Sequence, residues 1–232
     1  MKSVLITGAN RGVGLELARL CLEGGYRVFA GCRNPQRSAA LDRLVTQYPG
    51  LLTLLTLDVT DPEGLKTSAQ LIGKQVQSLH ILFNNAAIHS EGEHISTFQA
   101  DRALEMLNVN AVAPMLVAQY FLPLLKASPG ARIINISSEA GSISAMNHFR
   151  GYYYFASKAA LNMLTRSLAW DPETEGITVV ALHPGWVRTD MGGAEAPTLP
   201  EESAAGCLQV AENLQPGDNG SFLTWDGRGY SW

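Results

Sequence analysis

A tyrosine and a lysine four residues apart, in Tyr154-Phe155-Ala156-Ser157-Lys158, open a helix-forming segment. At that spacing both side chains point to one side of a helix. An ammonium group beside a phenol favours the phenolate and lowers its pKa towards the range useful for proton transfer. The pair is weak by itself, because a packed tyrosine with an exposed lysine is the commoner occurrence in an arbitrary sequence. Upstream, however, Ile133-Ile134-Asn135-Ile136-Ser137-Ser138 is a buried strand ending in two hydroxyls. Such a strand end lies at the carboxyl edge of a sheet, where open α/β folds bind ligands.

The N-terminus offers a place for that ligand. A strand at 4–7 runs into Gly8-Ala9-Asn10-Arg11-Gly12-Val13-Gly14 and then a helix. Glycines there let the backbone turn sharply and approach a pyrophosphate, whose charge the amide N–H groups and the helix N-terminus stabilise. The spacing is G-x-x-x-G-x-G, not the commoner G-x-G-x-x-G. A glycine-rich turn after a strand can be only a turn. Following the first strand of an alternating chain it points to a nucleotide, although a methyl-donor cofactor, and hence a methyltransferase, can use a similar corner. The second strand ends in Gly31-Cys32-Arg33, with no acid to meet a ribose 2′-OH. Arg33, with Arg11 facing it from the glycine turn, is expected to hold a 2′-phosphate, which favours NADP over NAD. Asp58, in Leu57-Asp58-Val59, is a candidate acceptor for the adenine amino group or equally a cap for the loop to Asp61.

Elements able to hold these groups in place recur along the chain. Short β-rich runs at 3–7, 26–31, 51–59, 80–84, 132–137, 177–183 and 221–225 alternate with segments of helical period. This predicts seven strands in a parallel α/β sheet with helices on both faces. The 232 residues allow one compact domain or two very small ones. No repeat or low-complexity tract marks a boundary, so a single domain over 1–232 is expected, with a mobile loop at 191–200 where Gly192, Gly193, Pro197 and Pro200 cluster. Only 16% of residues are charged and 46% are hydrophobic, which leans away from disorder and towards a large core. Seventeen Lys+Arg against 21 Asp+Glu give a net charge of −4, without the basic patch that nucleic acid or an anionic membrane would require. Cys21, Cys32 and Cys207 have no C-x-x-C or Cys/His spacing, so no disulfide framework and no metal site are expected. The apolar stretch 109–125 is interrupted by Asn110, Pro114, Gln119 and Pro123, as a buried helix is and a membrane span is not. The apolar run before Gly8 is too short for a signal-peptide core, and a cytoplasmic location is expected.

Taken together, the glycine turn, Asn84-Asn85-Ala86-Ala87, Asn110, Ser137-Ser138, Tyr154/Lys158 and Pro184-Gly185-Trp186-Val187-Arg188-Thr189 stand in the order of the short-chain dehydrogenase/reductase family, which the chain resembles over essentially its whole length. Within that family, His183-Pro184-Gly185-Trp186-Val187-Arg188-Thr189-Asp190-Met191-Gly192-Gly193 and the ending Asn219-Gly220-Ser221-Phe222 with Asp226-Gly227 are similar to C-factor and sniffer-type carbonyl reductases. The resemblance implies a doubly wound Rossmann sheet of order 3-2-1-4-5-6-7 and an NADPH-dependent reductase of ketones or aldehydes. It equally implies an alternative, a C-factor-type regulatory or signalling protein that binds NAD(P) with little turnover. A homo-oligomer, dimer or tetramer, paired through the helices around 109–125 and 154–170 is expected, as in family relatives.

Residue by residue, the resemblance makes Tyr154 the general acid and Lys158 the cation that depresses its pKa and holds the nicotinamide ribose. Ser138, the later serine, would hydrogen-bond the substrate oxygen, with Ser137 structural. Asn110 would break its helix and hold a water leading to Lys158. Thr189 would contact the carboxamide, and Pro184-Gly185 would let the chain pass close to the ring. Gly8, Asn10, Arg11, Gly12, Val13, Gly14, Arg33, Asp58, Val59, Asn85, Ala86, Ala87 and Val187, with Tyr154 itself, complete the cofactor contacts. Ala87 replaces the family's usual glycine, narrowing the space beside adenine. The interval from Ser138 to Tyr154 is longer than in many members, which nominates Met146, Phe149 and Tyr152, with Trp186 and Met191 of a substrate loop around 186–203, as pocket residues. His148 is expected to be a solvated loop residue, and His183 to satisfy a buried backbone group.

Overall fold

The structure is a computed structural model that describes residues 1–90 and 92–232. Its centre is a sheet of β1 (Ser3–Thr7), β2 (Arg27–Cys32), β3 (Leu52–Thr56), β4 (Ile81–Asn84), β5 (Arg132–Ile136), β6 (Thr178–His183) and β7 (Phe222–Thr224). The spatial order is β3-β2-β1-β4-β5-β6-β7, and every neighbouring pair is parallel. The strands are thus the expected seven in the expected order: β1 has the expected bounds, β2 runs from 27 to 32 instead of 26 to 31, and the other five are shorter by one to three residues at one or both ends. Two of those ends have a visible cause. Tyr26 gives its N–H to the Cys21 carbonyl at 2.9 Å and so belongs to the turn before β2. Asp58 accepts from the Thr60 N–H at 2.9 Å and the Thr60 hydroxyl at 2.7 Å, which turns the chain away from β3.

Alternation along each strand sends successive side chains to opposite faces. Val4 and Ile6 of β1, with Val28 and Ala30 of β2, pack on one face against Leu17 and Cys21 of α1 (Gly12–Glu23), Leu41 of α2 (Ala39–Gln47) and Cys207 of α7 (Pro200–Asn213). Leu5, Phe29, Leu82, Ile133 and Val179 pack on the other face against Leu65 and Ile72 of α3 (Pro62–Gly73), and against Val117, Phe121 and Leu125 of α5 (Ala113–Lys126). Burial on both sides explains why the strands are continuous apolar runs. Asp61 caps α3 through the Glu63 N–H, with Pro62 at the first position.

The segment Ala100–Lys126 is long and apolar enough by length and composition to cross a membrane; its second part packs on the second face of the sheet through Val117, Phe121 and Leu125. It is α4 (Ala100–Leu107) joined to α5 through a π-helical turn at Asn108–Val112. Val112, and Met163 of α6 (Tyr153–Ala169), are exposed on the segments expected to meet a second subunit.

The loop at 191–200 is tied down rather than free. Val187 bridges to Thr198, the Arg188 N–H donates to the Thr198 carbonyl at 2.9 Å, the Trp186 indole donates to the Gly192 carbonyl at 2.7 Å, and Ala196 is fully buried. Its glycines and prolines shape a bonded loop, a distinction composition alone does not make.

Candidate active site

All strands run the same way, so their carboxyl ends share one edge, and a single cavity of about 1230 Å³ opens along it. Every residue assigned from the sequence to the cofactor or to catalysis lines this cavity except Asn110.

At one end lies the glycine turn. Gly8 sits at φ +66°, and a Cβ there would come within 2.9 Å of the Ala86 Cα. A Cβ on Gly14 would lie 2.4 Å from the Asn85 amide nitrogen and 2.5 Å from the Gly8 carbonyl oxygen. Thr7 fixes the opposite wall: its hydroxyl accepts from the N–H groups of Asn85 and Ala86, both at 3.0 Å, and the Asn85 side chain donates back to the Thr7 and Gly8 carbonyls. The result is a corner without side chains at the start of α1, suited to a pyrophosphate. Gly14→Ala should therefore destabilise the fold by about 1–3 kcal/mol through overpacking and weaken NADPH binding, as checked by thermal melts and a fluorescence titration.

Arg33 is exposed beside this corner, lining it together with Asp58 and Val59. Arg11 does not turn towards Arg33. Its guanidinium is 2.8 Å from the Asp190 carboxylate, and the two side chains are 66% and 75% exposed, so the pair is weak and exchangeable. Nothing in the sequence marks Asp190, 179 residues away, as the partner of Arg11. Asp58 spends one oxygen on Thr60, and the hydrogen bonds from the Thr60 N–H and hydroxyl hold its carboxyl below the usual carboxylate range.

At the other end stand Ser138, Tyr154 and Lys158. Tyr154 is the second residue of α6 and Lys158 lies one turn on, as the spacing predicts. The Lys158 ammonium donates to the Ile136 carbonyl at the end of β5, at 2.7 Å, and its nitrogen is 5.7 Å from the Tyr154 ring centre. Lys158 is 2% exposed, and burial pushes it down to about 7. Burial also pushes the Tyr154 phenol up to about 12, against the opposing effect of its hydrogen bond with Ser138. This is opposite to the direction expected from a cationic neighbour. A lysine that has lost its charge by about pH 7 offers no attraction in the alkaline range where a phenol ionises.

Both serines of the pair line the cavity, and their hydroxyls have different partners. The Ser137 hydroxyl is buried and donates to the Asn162 side chain at 2.6 Å, whereas Ser138 faces the cavity and caps a short turn through the Ala140 N–H. Asn110 lies in the π-helical turn, a feature frequent at functional sites. Its amide accepts from the Ile88 N–H and donates to the Ile88 carbonyl, both at 2.8 Å, and donates to the Ser157 hydroxyl at 3.0 Å. It thereby ties α6 to the connection after β4. Thr189 lies over Gly12, where a Cβ would meet its methyl group at 3.1 Å, and so closes the cavity between the glycine turn and the 186–203 loop.

Of the nominated pocket residues, Trp186 and Met191 line the cavity; Met146, Phe149 and Tyr152 do not. Phe149 instead stacks on His94 with ring centres 5.5 Å apart and meets Tyr152 edge-on. His89, Arg150 and Phe155 take the places near Tyr154. His148 is exposed and away from the cavity, and His183 accepts the Glu139 N–H at 3.2 Å. Asn162 was not singled out from the sequence, although its place one turn beyond Lys158 is a signal that could have found it; His89 and Arg150 carried no periodic signal.

A parallel sheet of this order, with a glycine corner after β1 and hydroxyl, phenol and ammonium gathered across the same cavity, is the architecture of a Rossmann-like oxidoreductase. Residues 2–199 match the short chain dehydrogenase family, and the chain belongs to it. The NADPH-bound carbonyl reductase from chicken fatty liver is 40% identical, with a TM-score of 0.94 over 100% of this chain and 99% of that one. The carbonyl reductase Sniffer of D. melanogaster is 35% identical, with a TM-score of 0.95 over 100% of both. C-signal of Myxococcus xanthus is 35% identical over 152 residues, 66% of this chain and 92% of its own.

Proposed function

We propose that this chain is an NADPH-dependent reductase that converts ketone or aldehyde carbonyls to alcohols. The observation that carries this reading is the convergence of Ser138, Tyr154 and Lys158 on the cavity that also holds the glycine corner and Arg33. The residues present fit the dinucleotide, since the corner accepts no Cβ and the adenosine end offers a cation and no acid beside β2. When bound, the reduced nicotinamide supplies the hydride. Tyr154 gives its proton to the carbonyl oxygen as charge develops there, and the Ser138 hydroxyl orients that oxygen. Lys158, when charged, stabilises the phenolate that Tyr154 becomes. Trp186, Met191, His89 and Phe155 wall the substrate end, which suits small to medium, partly apolar carbonyl compounds.

The test is a panel of aldehydes, diketones, quinones and hydroxysteroids, followed by loss of NADPH absorbance with the carbonyls and by its gain with NADP and the hydroxysteroids. No NADPH turnover across the panel rejects the reading. Cofactor preference has its own test. Arg33→Asp should lower the ratio of NADPH to NADH affinity by about 10- to 100-fold, the worth of a charge-assisted contact. An unmodified protein that prefers NADH overturns the role given to Arg33.

A further inference from the structure

Helix α6 begins without a cap of its own. Tyr152, at the N-cap position, makes no side-chain capping bond, and the first N–H groups of a helix have no partner within it. Glu93, in the connection between β4 and α4, fills that place from 60 residues away. Its Oε1 accepts from the N–H of Tyr152 at 3.2 Å and from that of Tyr153 at 3.1 Å. Gly151 leaves the room: it sits at φ +127°, and a Cβ there would lie 3.2 Å from the same oxygen.

Glu93 is 8% exposed, a costly position for a carboxylate unless donors hold it. Burial pushes its carboxyl up. The N–H groups of Tyr153, Glu93 itself and Tyr152, with the charge of His89, more than offset that and hold it below the usual carboxylate range. It is therefore an anion at neutral pH, placed where a helix N-terminus favours one. Its other oxygen has no hydrogen-bond partner among the described residues, so the bonds to α6 account for its placement.

The same connection grips the first turn of α6 at further points. Phe98 meets the rings of Tyr152 and Tyr153, and the Tyr153 hydroxyl accepts from the Gln99 N–H at 2.6 Å. His89 meets the Tyr154 ring edge-on, with centres 4.7 Å apart. Glu93 is the anionic member of this grip, and it holds the N–H of Tyr153, one residue before the tyrosine that the reductase reading makes the proton donor.

We propose that Glu93 is a positioning residue for the reaction: by capping α6 it fixes the first turn of that helix, and with it the Tyr154 hydroxyl against Ser138 and the substrate oxygen. The proposal rests on the reductase reading for its kinetic consequence. Its structural half, the placement of Tyr154, is measured separately.

The experiment uses the whole chain in its NADP complex, labelled with 3-fluorotyrosine, the Tyr154 resonance being assigned by its loss in Tyr154→Phe. Glu93→Ala should shift and broaden that resonance and lower kcat for the aldehydes of the panel by about 10- to 100-fold, the effect of a small misplacement, with NADPH affinity unchanged. Glu93→Gln keeps an oxygen acceptor without the charge and should recover a large part of both losses. A Glu93→Ala enzyme with unaltered kcat and an unmoved resonance overturns the proposal, whatever its melting temperature. So does a Glu93→Gln enzyme as impaired as Glu93→Ala, because the acceptor oxygen then contributes nothing. Should Glu93→Ala fail to fold, Glu93→Gln and Gly151→Ala, which crowds the same oxygen, carry the test. A wild type inactive on the whole panel rejects the reductase reading, while the fluorine resonance still decides whether Glu93 places Tyr154.

Discussion

Tyr154→Phe should lower kcat for carbonyl reduction by about 10²- to 10⁴-fold, the usual worth of a positioned general acid, while NADPH binds as before. The substitution removes one oxygen and leaves the ring, whose edge contacts with His89 and Phe155 hold it in place. The glycine corner lies at the other end of the cavity and Lys158 remains, so cofactor affinity should change little. Stability should move little, because the phenol is neutral in the folded and unfolded chain alike at neutral pH and the substitution gives up only its hydrogen bond with Ser138. The measurements are steady-state turnover, a fluorescence titration with NADPH and a thermal melt. A variant that retains turnover would remove Tyr154 from the chemistry. A variant that loses turnover yet keeps every biological effect of the protein would favour a nucleotide-binding regulator, for which a proton donor serves no purpose.

What could be read from the sequence was whatever local spacing determines. Gly8, Gly12 and Gly14 announce a tight corner because no other residue lets the chain take that path, and Tyr154 and Lys158 announce a shared helical face because four residues make one turn. Strand order followed from the family resemblance, and the sheet has that order. Pairings across long intervals were not legible. Arg11 is held by Asp190, and α6 is capped by Glu93, since acidic side chains carry no mark of the distant group they will meet. Met146, Phe149 and Tyr152 failed as pocket residues because a loop's apolar side chains identify no particular surface; Phe149 and Tyr152 packed with His94 and Phe98 instead. The direction of the Tyr154 shift was not legible for a related reason. Spacing shows the neighbouring lysine but not the burial of the phenol itself, which is what raises its pKa.

That burial makes Lys158→Met a substitution with opposite effects on function and stability. In the folded chain burial lowers the lysine to about 7, whereas the unfolded chain keeps an ordinary lysine pKa of about 10.4. Between these two values the unfolded state binds the extra proton, so stability rises with pH across that window. The penalty is fully present below the folded pKa and gone above the unfolded one. Methionine has similar length and no charge, so the cofactor-free variant should melt roughly 5 °C higher at about pH 6, with the gap closing towards about pH 10. The opposing loss is the hydrogen bond to the Ile136 carbonyl, worth about 1 kcal/mol and replaceable by water because Ile136 lines the cavity. Turnover should fall by about 10²-fold or more, since the ammonium no longer stabilises the phenolate that proton donation creates. In the wild type, kcat/KM for the carbonyl should therefore decline as pH rises through about 7, where Lys158 loses its proton, and that limb should vanish in the variant. A variant that melts lower than wild type throughout this range would mean that Lys158 supports the fold, and a flat wild-type profile would mean that its charge takes no part in the reaction.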